Sequence, residues 1–178
     1  MPMPTARTAS GFTLVELVAT MIIIGVLAAV ALPRLAERSS FDARGFADQM
    51  SAMLRYAQKS AVAQHRAVFV RLDGASIALC LDAGCTAAGR VRAPAGANSG
   101  KPATLAACGN DKAWFCEALP AGIGYAAALP MFYFNALGKP YLPADVPPNS
   151  SFASLPIAIS GDGSTRIVTV EQETGYAH

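Results

Sequence analysis

The side chains able to do chemistry in this chain are few: four cysteines, two histidines and one carboxylate inside an apolar run. Cys80, Cys85, Cys108 and Cys116 form an even set, which an oxidising compartment would close into disulfides. Three pairings are possible, and sequence alone does not separate them. Cys80–Cys85 with Cys108–Cys116 is preferred, because each bond would staple a short excursion in a loop-rich stretch. Zinc is a poor alternative, since no C-x-x-C occurs and His65 and His178 lie far from the cysteines in sequence. Neither histidine has a serine or cysteine nucleophile that sequence can nominate, and no G-x-S-x-G is present. Asp162, between Gly161 and Gly163, could pass for a calcium-loop remnant but reads more simply as a hairpin turn. These residues point away from an enzyme, and no metal or cofactor is expected.

The isolated carboxylate is Glu16. It is the only ionisable side chain in the 21 residues 12–32, FTLVELVATMIIIGVLAAVAL. At about 1.5 Å per residue a helix of that length covers roughly 31 Å, enough for a bilayer core. A carboxylate in such a segment is costly and usually functional. Ahead of it lies a polar leader, 1–11, whose only charge is Arg7; Arg34 and Arg38 follow, so the flanks do not fix an orientation. A secretory signal would be cut after the apolar run, but Ala31-Leu32-Pro33-Arg34 is a poor site for that. The conspicuous small residue is Gly11, before the run.

The elements that must position these residues follow from composition and periodicity. The 178 residues allow one ordinary domain with a short extension. A formal charge of +2 argues against a general polyanion binder. With 53% hydrophobic residues the bulk of the chain is not disordered, and only one segment is long enough to span, which excludes a polytopic membrane protein. Past Pro33 helical spacing continues to about Gln64. Phe46, Met50, Met53, Leu54, Ala57 and Ala61 make one apolar stripe that should lie against a sheet, while Arg44, Asp48, Arg55 and Lys59 fall largely off it. Gly45 is a weak point, costing about 1 kcal/mol relative to alanine, where a local irregularity is anticipated. Strand patterns cover 67–72 and 76–81 around Asp73-Gly74, then 131–134, then 156–159 and 165–170 around Gly161-Asp162-Gly163. The stretch 86–120, rich in Ala, Gly, Pro and Asn, is read as long loop structure.

Ser10-Gly11-Phe12-Thr13-Leu14-Val15-Glu16-Leu17 resembles the G-F-T-L-x-E-L signature of type IV prepilins and type II secretion pseudopilins. The resemblance implies cleavage between Gly11 and Phe12 by a prepilin peptidase, N-methylation of Phe12 and retention of the apolar helix. It further implies that Glu16 pairs with the Phe12 amine of a neighbouring subunit, and that Pro33 marks a place where the helix bends. The implied partners are other pilin subunits, the prepilin peptidase and the pilus assembly machinery of the inner membrane. The implied location is a single pass through that membrane with the head in the periplasm, then the filament. That compartment is oxidising, which favours disulfides for the four cysteines.

The second half extends the likeness. Phe134-Asn135-Ala136-Leu137-Gly138-Lys139-Pro140, with Glu173-Thr174-Gly175-Tyr176 near the end, resembles the GspH/FimT group of minor pilins and pseudopilins. Phe41-Asp42-Ala43-Arg44-Gly45-Phe46 and Tyr56-Ala57-Gln58-Lys59 are similar to minor pilins of the mannose-sensitive haemagglutinin (MSHA) type. The implied fold is α+β: a long N-terminal helix, apolar over 12–33 and amphipathic over 34–64, packed on an antiparallel β-rich head, 65–178. Some related minor pilins bind DNA through a G-R-x-R element near the C-terminal end. Here Gly89-Arg90-Val91-Arg92 lies in the central loop, so Arg90 and Arg92 are candidate DNA contacts in a position that departs from the pattern. The expected function is a minor pilin of a type IV pilus. An H-type pseudopilin and a DNA-binding minor pilin are the alternatives.

Overall fold

A computed structural model describes residues 13–161 and 163–178, and the backbone alone over 30–40. The leader with Gly11, together with Phe12 and Asp162, falls outside the described residues. Contacts divide the chain into two units, Met1–Arg38 and Ser39–His178. Helix α1, Leu14–Gln64, begins in the first and ends in the second, running without a break through Pro33 and Gly45.

In the first unit the described side chains of α1 are exposed and, apart from Glu16 and Thr20, apolar or small, from Leu14 at 78% through Met21, Ile22, Ile23 and Ile24 to Leu27. Such a helix is unstable in water unless something covers it. Its one hydroxyl in this stretch, Thr20, is satisfied internally by donating to Leu17 O at 2.8 Å. Among the described residues no helix is long and apolar enough to cross a membrane. The expected apolar half, 12–33, runs past the described side chains at both ends.

The second unit is built on the amphipathic half of α1. Phe46, Met50, Met53, Leu54, Ala57 and Ala61 are all buried, with Ala43 and Ala47 widening the stripe, whereas Arg44, Asp48, Arg55 and Lys59 face water. A five-stranded antiparallel sheet is ordered β3-β2-β1-β5-β6, from β1 (Val68–Leu72), β2 (Ser76–Cys80), β3 (Cys116–Ala118), β5 (Met131–Phe134) and β6 (Pro140–Tyr141). A three-stranded sheet is ordered β4-β7-β8, from β4 (Gly124–Ala127), β7 (Leu155–Gly161) and β8 (Ser164–Val170). Alternate residues face the helix, as the pleat requires: Val68, Val70 and Leu72 from β1, Ile157 and Ile159 from β7, Val168 and Val170 from β8. Phe132, Phe134 and Phe152 fill the space between, with ring centroids 5.2 to 5.3 Å apart.

The sequence reading gave no strand at β4 or β6, and one longer stretch departs from it further. Residues 86–120, expected to be loop, contain a 3₁₀ turn at Ala87–Gly89, a short helix α2 at Pro102–Ala107 and strand β3. Each piece is too short to show a period. Together they form a second, smaller core in which Trp114 meets Cys80, Cys85, Cys108, Cys116 and Ala78 on the outer face of β2. Strand β2 is therefore buried on both faces.

Candidate functional site

At the start of α1, Thr13 accepts the Glu16 N–H on its side-chain oxygen at 3.3 Å and on its carbonyl at 3.1 Å. Thr13 followed three positions later by Glu16 is the capping-box pattern, and it places the carboxylate in the first turn, where the helix dipole favours negative charge. The hydrogen bonds run to Thr13 from the Glu16 main chain, and the Glu16 side chain itself is exposed. The T-x-x-E spacing was the available sign of a local role.

The cysteines pair as Cys80–Cys85 and Cys108–Cys116, and none is free. The first bond closes a turn held by Asp82, whose carboxylate accepts from the Thr86 N–H at 3.1 Å and from the Thr86 hydroxyl at 2.9 Å. Those bonds hold the Asp82 carboxyl below its ordinary range. The same carboxylate fills the space where a β-carbon at position 89 would go, so a larger residue there would push Asp82 out of these bonds. Gly89-Arg90-Val91-Arg92 is accordingly no free loop. Val91 is buried and exchanges main-chain hydrogen bonds with Leu79 and Phe115.

Arg90 and Arg92 are separated by this pairing. Arg90 is half-buried, 3.0 Å from Asp111, with its guanidinium 4.5 Å from the centre of the Trp114 ring. The hydrogen bond from Arg90 holds the Asp111 carboxyl below its ordinary value. Arg71 approaches the same indole at 5.2 Å, and the Trp114 N–H donates to Leu79 O at 2.8 Å. Arg92 is exposed beside them. One arginine of the motif is thus engaged in holding the cysteine lobe together, which leaves Arg92 as the freely presented charge.

A third cluster joins the segments 134–140 and 173–176 on α1. Gln58 donates its side-chain amide to Gly138 O at 3.0 Å and to Thr174 O. Lys139 pairs with Glu173 at 2.6 Å, which raises the Lys139 ammonium above its ordinary range. Arg55 donates to Ala177 O at 2.9 Å, and the tail then pairs with β8, Thr169 and His178 exchanging both main-chain bonds. His178 meets Glu171 at 2.9 Å; His65 ends α1 in the left-handed region, at φ 49°. Gln58, Trp114 and Gly175 organise these clusters, and periodicity does not mark any of them.

Residues 6–32 match the prokaryotic N-terminal methylation motif, so the chain carries that motif. Among solved structures the chain is similar to the type IV minor pilin FimU of Pseudomonas aeruginosa strain PAO1. The identity is 19%, covering 74% of this chain and 83% of that one, with a TM-score of 0.49. It is also similar to the minor pseudopilin EpsH from the type 2 secretion system of Vibrio cholerae, at 17% identity, covering 77% and 94%, with a TM-score of 0.49. No curated protein matches the chain.

Proposed function

We propose that this chain is a minor pilin: a non-enzymatic subunit cut between Gly11 and Phe12, methylated on Phe12 and assembled into a type IV pilus through its N-terminal helix. The methylation motif over residues 6–32 carries the reading. The exposed apolar side chains of α1 support it, since a helix exposing so many of them needs lipid or other helices around it. Before assembly the helix would lie in the inner membrane with the head in the periplasm, a compartment that suits two disulfides. Its partners would be other pilin subunits, the prepilin peptidase and the assembly machinery. In the filament the helix would bend at Pro33, where the ring removes a backbone donor. The MSHA assignment rests on the short segments 41–46 and 56–59.

The test is the N-terminus of the membrane-bound protein by mass spectrometry. A methylated Phe12 supports the proposal; an N-terminus after Leu32 would overturn it. Recovery in sheared pili distinguishes a pilus subunit from a pseudopilin, which would instead follow the secretion apparatus.

A further inference from the structure

The outer edge of β8 is incompletely paired. In an antiparallel ladder successive residues turn their main-chain groups alternately toward one neighbour and the other. Thr169 exchanges both of its main-chain bonds with His178, so it faces away from β7. Its β7 counterpart is Pro156, which has no N–H to give. By the same alternation Ile167 and Thr165 also point their N–H and C=O groups outward. Among the described residues, His178 pairs with the first outward-facing position of this edge, and on that side Ile167 and Thr165 are paired with none. Such an edge is a template for another extended chain.

The edge borders a groove of about 690 Å³ between β8 and the exposed face of α1. Arg44, Asp48 and Arg55 line its helix side, and Arg166 lies on the strand. Three guanidiniums thus face one carboxylate, with His178 at the end where the tail already pairs. None of Arg44, Asp48 or Arg166 is in an ion pair among the described residues. Ile167, 62% exposed, adds an apolar contact on the opposite face of the strand.

We propose that this edge is a docking site for an extended acidic segment of another polypeptide. That segment would continue the tail's antiparallel pairing as an added strand opposite Ile167 and Thr165, with its carboxylates turned toward Arg44, Arg55 and Arg166. Main-chain bonds would supply the binding, and the arginines the selection for acidic sequence. The inference stands on Ser39–His178 alone and does not depend on which filament, if any, the chain enters.

The probe is a short capped peptide of alternating glutamate and valine, titrated against the full chain in detergent micelles. Binding should weaken with salt, and amide exchange should slow at Thr165 and Ile167. Arg166→Glu should weaken it by about tenfold, and Ile167→Pro should abolish it while Ile167→Ala keeps it. If Ile167→Pro fails to fold, a peptide whose alternate N–H groups are replaced by ester oxygens reads the same main-chain contribution on the native protein. The proposal is overturned by unchanged exchange at Thr165 and Ile167. It is equally overturned if the ester peptide or a lysine–valine peptide binds as well. Binding of a single-stranded oligonucleotide in place of the peptide would overturn it too, showing a groove that takes anions without adding a strand.

Discussion

Gly175 sits so close to the carbonyl oxygen of Gly138 that a β-carbon at position 175 would overlap it. The side chains of Gln58 and Phe134 would lie 2.9 Å from the same carbon. Gly175 also has a φ of +66°, which side chains other than glycine seldom adopt. The contact draws the end of the chain onto the turn after β5, and the Gln58 amide bonds both. The two segments of the GspH/FimT resemblance are therefore one packing unit, closed over the helix.

Gly175→Ala should accordingly cost more than the backbone strain alone, on the order of 2–3 kcal/mol. Gly74 provides the control, with a φ of +83° and open space around it, so Gly74→Ala should cost only about 1 kcal/mol. Chemical denaturation of the two variants separates the effects. Equal losses would show that the close approach contributes nothing.

Tyr125 is pushed up to about 12 by burial, from an ordinary value of 10. Its hydroxyl donates to Ser76 O at 2.7 Å and accepts from the Gly74 N–H at 2.8 Å, tying the second sheet to the β1–β2 turn. The folded chain holds this proton more tightly than the unfolded one. The stability linked to it is whole below about pH 10 and is lost as the pH rises toward 12. Unfolding free energy should fall more steeply over that window in the native protein than in Tyr125→Phe. Parallel curves would exclude the linkage.

What was legible in the sequence was whatever repeats. The stripe from Phe46 to Ala61, the hairpin around Asp73-Gly74 and the alternation of β7 and β8 each span enough residues to show a period. The preferred cysteine pairing also matches the observed bonds. The Trp114 core was not legible, because it is assembled from single residues of β2, α2, β3 and the intervening turns, joined by two disulfides. Nor was the burial of Arg90, whose partner Asp111 is supplied by a fold that local sequence does not announce. Glu16 was visible as a charge out of place, while its position three residues after a capping threonine went unused.

The two disulfides close short separations of 5 and 8 residues. A chain-entropy estimate gives about 2 kcal/mol for each. Replacing either pair with serines should loosen residues 81–115 first, since those bonds wall the Trp114 core and not the main one. Amide exchange should quicken around Trp114 and stay slow in β7. Equal acceleration in both would show that the two cores unfold as one.

Arg90 and Arg92 should differ in acid. Asp111 is held below its ordinary value by Arg90, so the folded chain releases this proton more readily than the unfolded one. The linked stability is present above the ordinary value of 3.8 and is lost as the pH falls through and below it. Arg90→Gln should flatten the acid limb of the stability curve; Arg92→Gln should leave it unchanged. Asp82 and Asp145 are lowered too, by the Thr86 and Ser151 hydrogen bonds, so some acid sensitivity should persist. An identical acid limb in Arg90→Gln would show that the ion pair carries no linked stability.

Two roles for Glu16, one at the helix start and one in the proposed assembly, are separable by one pair of substitutions. As the third residue after Thr13 it favours the first turn through the helix dipole, an effect of about 0.3–1 kcal/mol at an exposed site. As a carboxylate in the apolar segment it would also pair with the Phe12 amine of a neighbouring subunit, under the proposed assembly. A buried carboxylate without a partner costs at least about 2.5 kcal/mol on insertion scales, so pairing would favour docking in one register. Glu16→Gln keeps the side chain's shape and its capacity to serve a capping box, but removes the charge. Glu16→Ala removes both. Neither should stop membrane insertion or cleavage at Gly11, because the Gly11-Phe12 junction and the apolar run are untouched. If pairing matters, both variants should be depleted from purified filaments to a similar extent. Normal incorporation of Glu16→Gln alongside loss of Glu16→Ala would assign the residue to the helix start instead. Normal amounts of both would remove Glu16 from assembly altogether.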